Sequence, residues 1–357
     1  MALAVPVQDV PLVLVPLLAE PHRRRTATAR AALVQPRLSV VIVNYRQWRE
    51  TAELVGQLRD AECVRAGLAE VVIVDNHSPP NRLGAQLRAL PEVSLRRWGR
   101  NRGFARAVNE GCRLGRGDWC LLLNPDTSVT AGFLDRVLAG AEALTARDPR
   151  TGIIGFQLRN SDGSLQWSSG PFPNLVGTLA GMARARSRRK YRALPLRRPV
   201  KASWLTGCCL LVRRDCLQDL GGFDEGFFLY YEDVDFCRRA RARGWSVWYD
   251  PTVQVIHHRP LHSRAVPAPL RVVTRHALLH YAFRHWPTWQ ASLLARVVQV
   301  EARLRKTWAS WRNRSDEARR FGELVAIASD MASGEGTSAR RRLRLMMRRE
   351  EASGPRK

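Results

Sequence analysis

The stretch RLSVVIVNY, residues 37–45, is a short apolar run of the kind found in fully buried strands. AEVVIVDNHSPP (69–80) and DWCLLLNPDTSV (118–129) repeat this pattern, each ending in polar residues. Between the first two runs, Leu54, Val55 and Leu58 recur at helical spacing. Strands that alternate with helices of about ten residues predict βαβ units. The sequence therefore predicts an α/β fold whose first half is a Rossmann-like, mainly parallel sheet flanked by helices.

Polar residues follow three of these apolar runs, at the points where the strands should end. They are Asn44 and Tyr45, then Asp75, then Asn124 and Asp126. Ligands of doubly wound sheets bind at the carboxyl ends of the strands. The alternative for each cluster is a polar turn that only ends the strand.

The chain has 357 residues, with 58 Lys and Arg against 32 acidic residues and a net charge of +26. Such an excess favours an anionic partner, although an Arg-rich solvated surface explains part of it. The basic tracts fall in expected loops and tails, including an insertion over 171–200, and no helix-turn-helix, zinc-finger or RNA-recognition motif accompanies them. We therefore expect no nucleic-acid partner.

The seven cysteines include no CxxC pair, which predicts reduced core thiols. Residues 1–36 are expected to be a flexible leader. They are apolar but unlike a signal peptide, because the basic residues follow the apolar part and Pro6, Pro11 and Pro16 oppose a helix. No run reaches the roughly 18 apolar residues of a transmembrane span.

Beyond the third strand, TGIIGFQLRNSDGSLQWSSG (151–170) predicts a β-hairpin that turns at Asp162–Gly163. We expect the main domain to extend over 37–265. Amphipathic, basic helices should follow over 266–312, then a basic tail over 313–357. The helices either pack on the domain or rest on an anionic membrane surface, and the sequence leaves both alternatives open.

Further motifs follow in order: NRGFARAVNEG, LLLNPDT, WLTGCCLLVRR, GGFDEGFFLYYEDVDFCRRARARGW and VIHH. Together with SVVIVNY and VVIVDNHS, their order and spacing resemble the inverting family 2 glycosyltransferases, particularly the bacterial rhamnosyltransferase-like branch. The resemblance runs from about Leu38 to Ser263. It implies a GT-A fold, with a nucleoside-diphosphate sugar bound by residues 37–130 and the acceptor by residues 131–265.

By motif position, the resemblance implies that Tyr45 and Asp75 contact the base and ribose of the donor. Asn101, Arg102 and Gly103 precede a helix, where a diphosphate is favoured by the helix N-terminus and by Arg102. A turn with a helix cap is an equally good interpretation of Gly103.

LLLNPDT takes the place of the family's metal-binding DxD motif, with Asn124 instead of the first Asp. The resemblance leaves Asp126 as the carboxylate ligand of Mg²⁺ or Mn²⁺ and implies that His257 completes the site. Alternation along a strand directs His258 to the opposite face. The competing interpretations are an Asx-Pro-Asp turn without metal and a structural His pair.

For the three acids of EDVD, the resemblance implies that Asp233 is the catalytic base and Glu232 its helper. Inverting transfer needs one positioned carboxylate. Asp235 should face elsewhere and cap the helix or pair with Arg238 or Arg239. An acidic first turn that complements the helix dipole is the alternative, and it fits Asp235 best.

Trp204, Thr206 and Gly207 are expected to line the sugar side of the pocket, with core packing as the even alternative for Trp204. The resemblance thus predicts metal-dependent transfer of a sugar such as rhamnose from a dTDP- or UDP-sugar to a hydroxyl of a cell-surface polysaccharide or lipid-linked glycan. We expect a cytoplasmic enzyme with peripheral contact to the inner face of the cell membrane. A catalytically silent sugar-nucleotide binding module and a basic nucleic-acid binder are the alternatives.

Overall fold

A computed structural model describes residues 35–182, 196–259 and 266–353 of the chain. The predicted leader, apart from its last two residues, and the middle of the predicted insertion, residues 183–195, lie outside the described residues. What the sequence predicts for them stays a prediction.

The first half alternates strands and helices, as predicted. Its elements are β1 (Leu38–Asn44), α1 (Trp48–Arg59), α2 (Glu62–Arg65), β2 (Ala69–Asp75), α3 (Arg82–Arg88), β3 (Val93–Arg97), α4 (Phe104–Leu114) and β4 (Trp119–Leu123). The four strands are parallel in the order β3-β2-β1-β4. Their carboxyl ends therefore meet at one edge, where Asn44 lies opposite Asp75.

The second half extends the same sheet. Its elements are β5 (Thr127–Ser128), α5 (Phe133–Arg147), β6 (Thr151–Arg159), α6 (Leu175–Met182), β7 (Val200–Lys201), β8 (Cys209–Arg213), α7 (Arg214–Asp219), α8 (Glu232–Ala242) and β9 (Ser246–His257). The strand order continues β4-β8-β6-β9-β5, and β7 pairs with β9. β8 is antiparallel to both β4 and β6, because the chain enters it from the edge at which β4 ends. The α/β class is as predicted, and the sheet is mixed beyond its parallel first half.

The predicted hairpin over 151–170 forms only in part. Its turn is present, with Gly163 at φ 79°, but the returning segment pairs with β6 through a single bridge between Arg159 and Leu165. The reason is that β9 pairs with β6 along its length and β8 occupies the other edge over Ile153–Gly155.

Two hydrophobic cores lie on opposite faces of the sheet. In β1, Val41 and Val43 face one core, and Val40 and Ile42 face the other. The seven cysteines are buried free thiols, as predicted.

Four helices follow the sheet: α9 (Ala268–His285), α10 (Thr288–Trp311), α11 (Ser315–Ala332) and α12 (Gly336–Ser353). The segment expected as a basic tail thus contains two helices. Apolar residues of α11 and α12 at helical spacing belong to the same core as the strands: Phe321, Leu324, Ile327, Met331, Leu343 and Met346. Within the described ranges, no helix is long and apolar enough to cross a bilayer.

Candidate active site

The ends of β1 and β2 are tied together by a buried polar network. Asn44 donates from Nδ2 to Asp75 Oδ1 at 2.9 Å, and its own Oδ1 accepts from the Gln47 amide and the Thr51 hydroxyl. Asp75 Oδ2 accepts from Arg97 Nε at 3.0 Å. Asn44 is fully buried and links the two strand ends, and its contact with the donor stays a prediction.

Asp75 is fully buried as well. Its carboxylate holds the Arg97 side chain, which is 36% exposed, at the rim of the strand ends. Arg97 was not expected from the sequence, because a basic residue in a short edge strand carries no pattern of its own.

Tyr45 is the predicted donor residue at the rim of this edge. Its hydroxyl donates to Glu351 Oε1 at 3.1 Å, and Glu351 lies on the last turn of α12. Burial, followed by the charge of Glu351, raises the pKa of Tyr45 above its usual value. The C-terminal helix therefore reaches the predicted nucleotide-binding edge, which no local pattern indicates.

The turn before α4 is built by side-chain amides. Asn76 Nδ2 donates to Asn101 Oδ1 at 2.8 Å, and the Arg102 amide donates to Asn76 Oδ1 at 2.8 Å. Gly103 has φ +94°, and a Cβ there would lie 2.8 Å from Phe228 O. Glycine is thus required here because the backbone at residue 103 lies against the backbone of Phe228. This agrees with the interpretation of Gly103 as part of a turn with a helix cap. The Arg102 side chain is exposed beside the turn.

Asp126 and His257 meet where β5 pairs with β9. Asp126 Oδ1 lies 3.5 Å from His257 Nε2. His257 Nδ1 lies 2.7 Å from Gln166 Oε1. An amide oxygen only accepts, so Nδ1 carries a proton, and Nε2 is the ring nitrogen that faces Asp126.

This arrangement fits a divalent cation. Two ligands at about 2.1 Å from one ion and at a right angle lie about 3 Å apart, close to the observed separation. The described residues contain no group of three or more His, Cys, Asp or Glu side chains that could hold a metal. Two protein ligands leave positions open for oxygens of a diphosphate. Asn124 is partly buried at the end of β4, next to this pair.

His258 is the first residue after β9, and its ring contacts two serine hydroxyls. Its Nε2 is 2.7 Å from Ser128 Oγ and its Nδ1 is 2.9 Å from Ser161 Oγ. The geometry therefore selects His257 as the partner of Asp126, as the sequence favoured. Gln166, which orients His257, was missed because the two residues are 91 positions apart.

Asp233 lies in the first turn of α8, 6% exposed. Its Oδ2 accepts from the Gly207 amide at 3.0 Å and its Oδ1 from the Val234 amide at 2.8 Å. Burial raises the pKa of the Cys208 thiol well above its usual value, and the nearby charges of Asp126 and Asp233 raise it further. The Gly207 amide binds Asp233, and the next residue, Cys208, accepts at its carbonyl oxygen from the Asn124 amide at 2.9 Å. The candidate base and the LLLNPDT motif are therefore both hydrogen-bonded to the segment 207–208.

Residues 39–221 match the model of Glycosyl transferase family 2. The chain belongs to this family. It is 34% identical over 244 residues to N-acetylglucosaminyl-diphospho-decaprenol L-rhamnosyltransferase of Mycobacterium tuberculosis, covering 62% of this chain and 78% of that protein. Over 234 residues it is 25% identical to the low-salt glycan biosynthesis hexosyltransferase Agl10 of Haloferax volcanii, covering 63% of this chain and 68% of that protein.

Among solved structures, the crystal structure of GalNAc-T7 with UDP, GalNAc and Mn²⁺ matches with a TM-score of 0.51 and 16% identity. The match covers 70% of this chain and 50% of that chain. It supports the GT-A fold. The protein is thus a glycosyltransferase with a GT-A fold, and its EDVD acids lie just beyond the residues matched by the family model.

Of the remaining predicted residues of this glycosyltransferase, Trp204 and Gly207 are buried. Trp204 is fully buried, and its Nε1 donates to Pro171 O at 3.0 Å. This burial agrees with core packing, the even alternative for Trp204, and its contact with the sugar stays a prediction. Thr206 is partly exposed, and the backbone amide of Gly207 serves to position Asp233.

Asp235 is fully buried and anchors α8 to α9. It accepts from Arg239 Nε at 2.8 Å and lies 2.7 Å from His285 Nε2. Burial acts to raise its pKa, but the hydrogen bond with His285 and the charge of Arg239 outweigh it, and the pKa lies below its usual value. Of the expected partners, Arg239 makes the ion pair, whereas Arg238 donates to the hydroxyl of Tyr281.

The two residues before α8 adopt an unusual backbone. Tyr230 has φ 72° and Tyr231 has φ 67°. Consecutive left-handed residues other than glycine are uncommon, and such strain clusters at active sites. Sequence patterns do not show it, because tyrosine has no preference for this region.

Proposed function

We propose that this glycosyltransferase transfers a sugar, with inversion and with a divalent cation, from a nucleoside-diphosphate sugar to a hydroxyl of a lipid-linked glycan or cell-surface polysaccharide. The contact of Asp126 with His257 carries the proposal, since it pairs a carboxylate with an imidazole that Gln166 orients. The Mycobacterium tuberculosis relative is named for rhamnose transfer to a diphospho-decaprenol acceptor. We therefore infer rhamnose from a dTDP-sugar as the first donor to test, with a UDP-sugar as the second.

In this mechanism Asp233 removes the proton of the acceptor hydroxyl as its oxygen attacks the anomeric carbon. The bond from that carbon to the diphosphate oxygen breaks on the opposite face, and the configuration inverts. The two backbone amides that hold the Asp233 carboxylate keep it aimed at one place. Glu232, also buried, is its neighbour in the same turn.

Asp126 and His257 would hold Mg²⁺ or Mn²⁺, which neutralises charge on the departing nucleoside diphosphate. On the donor side, Tyr45 offers a ring at the rim of the strand ends. Arg102 and Arg97 supply positive charge beside it, and Arg97 is held there by Asp75.

The deciding experiment is a donor screen with purified protein. UDP-, GDP- and dTDP-sugars are offered with an N-acetylglucosaminyl-diphospho-polyprenol acceptor, with Mn²⁺, with Mg²⁺ or with EDTA. We expect transfer from one donor class, abolished by EDTA, with a product of inverted anomeric configuration by NMR. Full turnover in EDTA contradicts metal dependence, and retained configuration contradicts the role of a single base.

We also propose that the enzyme is cytoplasmic and binds the inner face of the cell membrane through α10. One face of this helix packs on the domain, through Ala291, Leu294 and Val298. The opposite face is an exposed apolar stripe at helical spacing: Trp289, Leu293, Val300, Leu304, Trp308 and Trp311.

The α10 stripe extends about 33 Å at 1.5 Å per residue, and exposed Arg296 and Arg303 border it. A tryptophan-rich apolar face bordered by arginines matches an anionic bilayer surface. Sedimentation with phosphatidylglycerol vesicles tests this, with Trp308→Ser/Trp311→Ser as the variant. We expect the wild type to sediment and the variant to stay largely in solution, whereas equal sedimentation of both contradicts the role of α10.

A further inference from the structure

An arginine-lined cavity of about 600 Å³ lies between α12, the start of α4 and the loop before α8. α12 contributes one face, since its lining residues recur at helical spacing: Thr337, Arg340, Arg341, Arg344 and Arg348. The opposite wall consists of Arg106 on α4 and the loop residues Asp224, Glu225 and Gly226. We call this space the arginine cavity.

The two carboxylates of the arginine cavity are already engaged. Glu225 pairs with Arg106 at 2.5 Å. Asp224 lies 2.9 Å from His280 Nε2 and 3.3 Å from Arg284 Nη1. Neither acid forms an ion pair with an α12 arginine that lines the arginine cavity.

The α12 arginines that line the arginine cavity differ from Arg342 and Arg349 of the same helix, which pair with Asp330 and Glu323. Arg344 donates from Nη2 to the carbonyl oxygen of Glu225 at 3.3 Å, and Arg340 donates to the Thr337 hydroxyl at 3.2 Å. Among the described residues, none of the four lining arginines of α12 forms an ion pair with a carboxylate. Burial, followed by the charges of Arg106 and Arg340, lowers the pKa of Arg344. The arginine cavity thus concentrates positive charge that a bound anion would relieve.

Its place in the fold connects it to the candidate base. The loop that lines it continues from Gly226 to Asp233. Phe104, two residues before Arg106, lies beside the same glycine as Asp233, because a Cβ at Gly207 would be 3.5 Å from Asp233 Cβ and 4.0 Å from Phe104 Cε1. Arg106 lies one helical turn after Gly103. An acceptor that presents a hydroxyl to Asp233 can therefore extend toward the arginine cavity.

We infer that the arginine cavity binds the diphosphate group of the lipid-linked acceptor. The inference rests on the proposed function for the identity of the acceptor. Arginine suits this ligand, because its planar guanidinium donates two parallel hydrogen bonds to phosphate oxygens. The phosphate of a membrane lipid would bind arginine in the same way. The experiment below distinguishes the acceptor diphosphate from a membrane phosphate.

The test compares two double variants of α12. Arg344→Gln/Arg348→Gln removes two charges from the arginine cavity. Arg342→Gln/Arg349→Gln removes the same charge from the other side of the helix, where these residues pair with Asp330 and Glu323. Inorganic pyrophosphate is titrated by calorimetry in EDTA, so that the candidate metal site does not bind it. We expect the Kd of the first variant to rise about tenfold to a hundredfold, and that of the matched control to stay at the wild-type value.

Kinetics with the full chain then assign the ligand. For the first variant we expect the KM for the diphosphate-linked acceptor to rise about tenfold or more, with the KM for the donor unchanged. Equal pyrophosphate binding by both variants overturns the inference. Competition between the donor nucleoside diphosphate and pyrophosphate also overturns it, because the cavity would then bind the donor. If the first variant binds phosphatidylglycerol vesicles more weakly but keeps the wild-type KM for the acceptor, the ligand is a membrane phosphate and the inference is overturned. If no donor in the screen is used, the proposed function fails, while the pyrophosphate titration still decides whether the arginine cavity binds a diphosphate.

Discussion

Replacing Gln166 by Leu should weaken the binding of Mn²⁺ without disturbing the two candidate ligands. Gln166 Oε1 accepts from His257 Nδ1 at 2.7 Å. The orientation of its amide is set by its own Nε2, which donates to Asn160 Oδ1 at 2.8 Å and to the carbonyl oxygen of His257 at 3.1 Å. Leu has a similar volume and no acceptor, so the imidazole loses the group that keeps its proton on Nδ1.

The expected loss follows from this one hydrogen bond. Without an acceptor at Nδ1, the proton can move to Nε2, the atom that lies 3.5 Å from Asp126, and the ring is free to rotate. Removing such an outer-shell partner costs about tenfold to a hundredfold in metal affinity, or about 1.4–2.7 kcal/mol. At saturating Mn²⁺, kcat should return close to the wild-type value, because Asp233 is untouched.

The assay is a Mn²⁺ titration followed by electron paramagnetic resonance, with the nucleoside diphosphate present, together with the dependence of the rate on Mn²⁺. Gln166→Glu keeps an acceptor for Nδ1 and should bind Mn²⁺ at least as tightly as the wild type. The matched control is Ser161→Ala, which removes the equivalent bond from Nδ1 of His258 and should leave the affinity unchanged. Unaltered binding by the Leu variant refutes the role of Gln166, and a loss in Ser161→Ala instead identifies His258 as the ligand.

Three further predictions concern the base, a turn and an anchor. Asp233→Asn should lower kcat about 10²–10⁴-fold with an unchanged donor Kd, and retained turnover places the base elsewhere. Gly103→Ala should cost about 1–3 kcal/mol in urea unfolding, because its φ is +94° and a Cβ would meet a carbonyl oxygen at 2.8 Å; Gly99→Ala, with open space, should cost far less. Asp235→Asn should cost about 3–5 kcal/mol at pH 7. Since the folded pKa of Asp235 is depressed, its contribution is complete above the unfolded value of about 4 and is lost as the pH falls through the folded value, so unfolding curves of wild type and variant should converge in acid.

The first half of the fold could be predicted because each of its buried strands has a continuous apolar sequence. RLSVVIVNY and the two later runs became β1, β2 and β4. The direction of β8 could not be predicted in the same way, because an apolar run reads the same whether its strand pairs in parallel or antiparallel. α11 and α12 did carry a signal, the spacing of Phe321, Leu324 and Met331, but their high charge made the segment resemble a tail.

In the candidate site, the sequence indicated residues at strand and helix ends and missed their supports. The contact of Asp126 with His257 and the position of Asp233 agree with the motif positions, and their catalytic roles stay predictions. The roles of Glu351 and Gln166 could not be predicted, because their partners Tyr45 and His257 lie 306 and 91 positions away in the sequence. For Trp204 the sequence leaves the sugar pocket and core packing as even alternatives, because the residue type suits both and its burial cannot be deduced from one residue.

Tyr230 and Tyr231, the two residues with positive φ before α8, depend on a C-terminal helix for their conformation. Holding Tyr230 and Tyr231 in the left-handed region costs about 1–3 kcal/mol for each residue, and the surrounding packing must offset this cost. Tyr231 packs on Tyr281 of α9, with ring centroids 5.7 Å apart, and α9 is also bound to α8 through Asp235 and His285. The same helix thus holds both ends of the segment that presents Asp233. We conclude that α9 stabilises the strained backbone at the start of α8, the helix that carries the proposed base Asp233.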